Sequence, residues 1–296
     1  MRLPHRRFLA LVLVLLPAAL SQAQAPAEPN VADAVARAET TPGNLTGAPQ
    51  PTGYESDLYC FGFLGGSSEP FAAQVISAAE VAEQTDFITH DVLYLDAGAD
   101  RGLRPGDEYW IVTPENEVVS PVDGRILGLF YQYRGRGVIL CIQGHSAVLR
   151  VLASCTDIPI GAYLKKFEPI PIPLARKGPP AVVCDPPSGK PQGHIVYSRD
   201  GVVALGQDTD VIVDLGVANG LQPGDFLTIY RYSTGREYGI RPQGYYWVNV
   251  PPPPGLEIPR TYLGEVAILA VGDRWAVGRI TDSYRLIEIG DEVEVK

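Results

Sequence analysis

One ten-residue pattern, Gly-x-x-x-Gly-Leu-x-Pro-Gly-Asp, occurs twice in the chain, at residues 98–107 and 216–225, and it limits the possible folds more than any other feature. The match extends upstream without a gap, with Leu93-Tyr-Leu-Asp96 set against Val211-Ile-Val-Asp214. Further on, residues 138–154 align with 267–283, again without a gap, and the correspondence continues to Gly161 against Gly290. Self-similarity at a fixed spacing is the mark of a repeated structural unit. The two alignments differ in offset by 11 residues, so the second repeat carries a net insertion, which the sequence places around residues 243–259.

Within each repeat the local signals are β. Short runs of Val, Ile and Leu alternate with turn residues at close intervals, and 31 Gly and 27 Pro in 296 residues leave no room for long helices. Gly98, Gly102 and Gly106, like Gly216, Gly220 and Gly224, suit backbone conformations closed to other residues, while Asp107 and Asp225 can accept from nearby amides. Each turn feeds a strand, residues 109–112 or 226–230. Gly161 and Gly290 mark a second tight turn into a closing strand. Residues 72–82 have helix-friendly composition, but their counterpart near Ile195 reads as strand, so a strand followed by a loop or short helical turn is expected.

The flanking segments set the boundaries. Arg2, Arg6 and Arg7 precede an apolar run from Phe8 to Leu16 that ends in small residues, the pattern of a secretory signal peptide over residues 1–23. The run is too short for the about 20 residues that span a bilayer. A flexible tether, 24–53, follows, rich in Ala, Pro, Thr and Gly. The modules are then 54–168 and 193–296, joined by a linker, 169–192, whose eight prolines favour an extended, semi-rigid chain. Removing residues 1–23 takes three arginines from 24 basic residues against 34 acidic ones, a net charge of −13 that repels nucleic acid.

Export brings Cys60, Cys141, Cys155 and Cys184 into an oxidising compartment, where two bridges in three connectivities are open. Cys60 and Cys155 are the favoured pair, since both lie near ends of the first module. Cys141 aligns with Ala270 in an apolar strand, which suits a buried thiol, and Cys184 competes from the linker.

The shared turn, the pairs Leu127-Gly128 and Leu263-Gly264, the stretch Ser120-Pro-Val-Asp-Gly-Arg-Ile-Leu-Gly128 and the final Ile-x-x-Gly-Asp turn together resemble the C-terminal domain of the flagellar assembly protein T. Similar β modules follow peptidoglycan-binding LysM segments in bacterial envelope proteins. No LysM segment is recognisable here. The resemblance therefore implies a non-catalytic β domain of the cell envelope, flagellar or otherwise.

Candidate chemistry has a plainer reading at each position. Gly144-His-Ser-Ala-Val148 lacks the last glycine of a nucleophile elbow and reads as a hairpin turn. Ser188-Gly-Lys190 lacks the upstream glycine of a phosphate loop. Asp96, Asp100 and Asp107 have Arg101 where a calcium loop needs glycine, so turn chemistry explains them better. His90, His145 and His194 have no partner at metal-ligand spacing, and no metal or other cofactor is expected.

The insertion is more informative. Tyr245, Tyr246 and Trp247 offer large contact area at low entropic cost, and Pro251, Pro252, Pro253 and Pro254 form a stiff rod, both suited to a partner surface. The competing reading is a loop whose aromatics cover the barrel. The whole chain thus reads as an all-β exported protein with two tandem small β-barrel-like modules, a non-catalytic structural or adaptor component of an envelope assembly. The alternatives are a peptidoglycan or polysaccharide binding module and, least supported, an enzyme of unknown class. The partners expected are envelope proteins or peptidoglycan, not nucleic acid, and the mature chain is expected to have no transmembrane segment. The exported form should begin near Gln24, which mass spectrometry of the exported protein checks; an intact N-terminus in the membrane fraction would contradict it.

Overall fold

The computed structural model describes residues 50–78, 84–176, 185–202, 204–232, 235–241, 244–250, 254–255 and 258–296. Residues 1–23, expected as a signal peptide, and almost all of the expected tether lie outside them. The described chain is nearly all β and forms two closed six-stranded barrels.

The first repeat contains β1 (Gly62–Gly65), β2 (Ala73–Ala78), β3 (Asp86–Phe87), β4 (Val92–Leu95), β5 (Glu108–Val119), β6 (Ile126–Ile142), β7 (Ala147–Ser154), β8 (Ile158–Pro159) and β9 (Tyr163–Lys166). Its barrel closes in the order β6-β5-β9-β2-β4-β7, with β7 returning to β6 and β1 added outside the ring on β6. The second repeat contains β10 (Gln192–Ser198), β11 (Ala204–Leu205), β12 (Asp210–Val213), β13 (Phe226–Tyr232), β14 (Gly235–Arg241), β15 (Gly244–Val250), β16 (Arg260–Val271), β17 (Ala276–Ser283), β18 (Ile287–Glu288) and β19 (Glu292–Val295). Its barrel closes as β16-β13-β19-β10-β12-β17, the same circuit strand for strand. Even the two-residue pair β3–β8 recurs as β11–β18.

Alternation fills each barrel. Leu93, Leu95, Ile111, Ile139, Leu149 and Leu164 meet inside the first, and Val211, Val213, Ile229, Ile268, Ile280 and Val293 inside the second. The repeated turn closes one end of each by docking on the hairpin turn opposite. Ala99 and Asp100 donate to the carbonyls of Gln143 and Gly144 at 2.9 and 3.1 Å, and Val217 and Ala218 to those of Gly272 and Asp273 at 3.0 and 2.9 Å. The approach is so close that a Cβ on Gly98 would lie 2.3 Å from the Gln143 carbonyl, and one on Gly216 2.5 Å from that of Asp273.

Register corrects two details of the expected alignment. Gly264 faces Ser283 as Gly135 faces Ser154, so Leu263-Gly264 is the counterpart of Arg134-Gly135 and not of Leu127-Gly128. The latter pair belongs to an extension of the β5–β6 hairpin beyond the barrel. The insertion also begins earlier than residue 243. It is a two-stranded hairpin, β14–β15, with Gly235 opposite Val250.

The described parts of the linker, residues 169–176 and 185–192, are both fastened to the fold. Pro51 forms a β-bridge with Leu174, Thr52 donates to Pro173 at 3.0 Å and Arg176 donates to Gly224 at 2.8 Å. Residues 50–52, expected in the tether, therefore pair with the linker instead. At the far end Arg260 donates to the Asp185 carbonyl at 2.8 Å and to Glu294 at 2.6 Å, and Ser188 to Glu294 at 2.8 Å. Gln192 already belongs to β10.

Gly135 and Gly264 hold the same place beside a β-bulge, where a Cβ would lie 2.4 Å from the Ala153 carbonyl or 2.1 Å from that of Asp282. Gly135→Ala and Gly264→Ala should each lower stability by about 1–3 kcal/mol. Gly144→Ala, whose Cβ would meet nothing within 4 Å, should change it by under about 0.5 kcal/mol. Denaturant titration compares the three.

Candidate functional site

The two barrels pack together, and the first barrel makes the contact with elements that lie outside its ring. Phe61 and Leu64, from the segment before β2, and Val118 and Phe130, from the extended β5–β6 hairpin, cover Val196, Ile212 and Val277 on the outer face of the second barrel. The Phe130 ring lies 5.3 Å from that of Phe61 and 4.7 Å from that of Tyr197.

The segment before β2 also carries charge into the contact. It contains a single helical turn, α1 (Glu55–Tyr59), entered through the Tyr54 amide, which donates to Asp57 at 2.7 Å. The other Asp57 oxygen pairs with Arg279 of β17, which also lies 3.4 Å from both Asp208 and Asp210. Cys60 ends the turn; its carbonyl accepts from Arg199 of the second barrel at 3.1 Å, and its sulfur is bonded to Cys155 of the first. Burial pushes the Asp210 carboxyl up to about 7 against the pull of the Arg279 guanidinium, and the charges of Asp57 and Asp208 add to the rise.

Beside this cluster lies a cleft of about 830 Å³ between the barrels. Leu58, Gly62 and Phe63 line it from the N-terminal segment, Tyr133 from β6, Ile170, Leu174 and Arg176 from the linker, and Leu269, Ala270 and Trp275 from the second barrel. Its walls are apolar and partly aromatic, with the Arg176 guanidinium held by Gln222 and Asp225. Such a surface can hold apolar side chains of an extended segment while excluding water.

The sequence candidates fall on both sides of this picture. The expected Cys60–Cys155 bond is present, with Cα atoms 5.4 Å apart. Cys141 is not the buried thiol expected: it is free and exposed, because a bulge between Ile139 and Cys141 turns it out of the core alternation. Ala270 is turned outward by the same bulge in the second repeat. Cys184 and Pro251 to Pro253 lie outside the described residues, and Pro254 is exposed in a turn. Tyr245, Tyr246 and Trp247 occupy β15, opposite Ile240, Gly239 and Tyr238 of β14; their side chains also lie outside the description. Gly102, Gly106, Gly161, Gly220, Gly224 and Gly290 all have positive φ, between 77 and 99°. Asp225 accepts from the Gln222 amide at 2.8 Å, and Asp107 pairs with Lys166 at 3.1 Å.

The aspartates accept from backbone amides near turns and strand ends, and two of the histidines face carboxylates. Asp96 accepts from the Gln74 amide at 2.7 Å, Asp100 from that of Gly98 at 2.9 Å, and His145 and His194 face Asp100 and Asp214. Among the described residues, no group of three His, Cys, Asp or Glu side chains could hold a metal ion, and no helix is long and apolar enough to cross a membrane. Sequence reasoning missed Trp275, Asp57 and Arg279. A signal existed for the first: the hairpin turn that carries Ser146 in one repeat carries tryptophan in the other.

The chain matches no protein-family model and no curated protein.

Asp210 gives the interface a pH dependence of definite sign. A carboxyl raised from 3.8 to about 7 by folding stabilises the fold below its unfolded value, and that contribution disappears as pH rises through the folded one. Stability should therefore fall between about pH 4 and pH 7 by on the order of 3 kcal/mol from this group, and Asp210→Asn should flatten the profile. Urea unfolding across that range is the measurement; an unchanged slope in the variant would remove Asp210 from the account.

Proposed function

We propose that the protein is an exported, non-catalytic adaptor of the bacterial cell envelope, and that the cleft between its barrels receives an extended apolar segment of a partner protein. The observation that carries this reading is the cleft itself. Two barrels that could have hung separately on a proline-rich linker are instead packed around an apolar, aromatic-lined groove, and clefts at domain boundaries are where ligands most often sit. Trp275 is the natural anchor, since buried tryptophans contribute disproportionately at contacts. It lies over Gly272, where a Cβ would approach its ring to 2.3 Å.

The compartment is inferred from the leader-like residues 1–23 and from the Cys60–Cys155 bond, which persists where thiols are oxidised. The resemblance to the C-terminal domain of the flagellar assembly protein T supports an envelope role. The β14–β15 hairpin, with Tyr245, Tyr246 and Trp247, offers a second contact surface belonging to the second repeat alone.

Trp275→Ser installs the residue of the first repeat and should reduce capture of the envelope partner by at least about tenfold, with the barrels still folded by circular dichroism. Deleting residues 235–250 removes the hairpin as a whole, leaving no unpaired strand. If that deletion abolishes capture while Trp275→Ser does not, the hairpin and not the cleft is the docking surface. Cosedimentation with purified peptidoglycan, unaffected by either change, would replace the adaptor reading with glycan binding.

A further inference from the structure

We infer that the Cys60–Cys155 disulfide is a latch on the contact between the barrels, and that reducing it frees the N-terminal segment and lets the two barrels part while each stays folded. The bond joins two residues of the first repeat, so its obvious role is to staple that module. The topology argues otherwise. The first ring closes through β6–β7 without using any residue before β2. The second barrel closes through the same circuit with no such bond; the position equivalent to Cys155 is Tyr284, which is 68% exposed.

What the bond holds is the segment that touches both barrels. On the side of the second barrel, Asp57 pairs with Arg279, the Cys60 carbonyl accepts from Arg199, and Phe61 and Leu64 pack on Ile212 and Val277. On the side of the first, the attachments are a four-residue ladder from β1 to β6, the packing of Phe63 among Trp110, Tyr131 and Tyr133 and of Phe61 on Phe130, and ring contacts from Tyr59 to Trp110 and Phe167. The ladder and the packing of Phe61 and Phe63 all lie after Cys60, so the covalent bond is what ties the helical turn before it, with Asp57, to the first barrel beyond the Tyr59 ring contacts.

Access favours the reaction. Cys155 is exposed, immediately beyond β7, while Cys60 is half-buried. A thiolate of a small dithiol attacks the Cys155 sulfur and expels the Cys60 thiolate; the second thiol then resolves the mixed disulfide. The chain gains two electrons and two protons as two thiols, and the dithiol leaves as a cyclic disulfide. Because Leu58, Gly62 and Phe63 are walls of the cleft, opening the latch also dismantles it. That last consequence rests on the cleft being the docking site, whereas the latch does not.

The test uses the full mature chain, oxidised or reduced with dithiothreitol, both samples capped with iodoacetamide so that Cys141 is modified equally. Small-angle scattering should show a larger radius of gyration in the reduced sample, with the far-UV circular dichroism of two folded barrels unchanged. An unchanged radius would overturn the latch. Loss of β signal would overturn it too, since the bond would then be a staple of the first barrel. Neither result depends on partner capture, so a failed latch and a failed docking site are told apart.

Discussion

Ile212 and Val277 point away from the interior of the second barrel and are nevertheless buried, and the rest of the architecture depends on covering them. A strand with apolar residues on both faces cannot leave one of them to water. The cover comes from the extended β5–β6 hairpin and from the segment before β2. Neither belongs to a ring, so the barrels are independent in strand topology and joined in packing.

Comparison of the repeats shows where that dependence arose. Tyr94, at the place of Ile212, is 40% exposed. Val92 stands where the second repeat has Asp210, and Arg150, the counterpart of Arg279, is exposed on β7. Ser146 stands for Trp275. The interiors, by contrast, are nearly interchangeable: Leu93, Leu95, Ile139 and Leu149 are matched by Val211, Val213, Ile268 and Gly278, the last filled by Val266 and Ile268 of the facing strand. What differs between the copies is the outside of the barrel, which is where one barrel can be told from the other by a partner.

The interior was readable because it rests on local rules. Period-two alternation and turns that demand glycine act over a few residues and appear in each copy, so the barrel class could be anticipated, and the module boundaries they set placed Cys60 and Cys155 near the two ends of the first module. Bulges were not readable. One extra residue beside Ile139 reverses the facing of Cys141, and no residue type announces it. The interface was half readable: Val211-Ile-Val213 is apolar throughout, a sign of burial on both faces, but nothing local says that Phe61 and Phe130, 69 residues apart, will be the cover. Asp57 and Arg279 are further apart still, and a pairing of opposite charges across that distance is invisible until the fold places them together.

The charges within so apolar a contact have a structural consequence. Apolar packing changes little when one surface slides over another, whereas hydrogen-bonded ion pairs weaken steeply with displacement, so the charges fix which residues meet. Here Asp57, Asp208 and Asp210 share Arg279, with Arg199 acting on Asp210 as the second cation. Asp208 reaches water, with its side chain 72% exposed, whereas Asp57 and Asp210 share the half-buried guanidinium, and burial together with the neighbouring carboxylates raises the Asp210 carboxyl to about 7. Asp57 lies three residues before Cys60, and so the partner that registers Arg279 is delivered by a segment tied to the first barrel at Cys155. The alignment of the second barrel against the first therefore hangs on one helical turn, Glu55–Tyr59, with the disulfide at its end and the shared guanidinium at its middle.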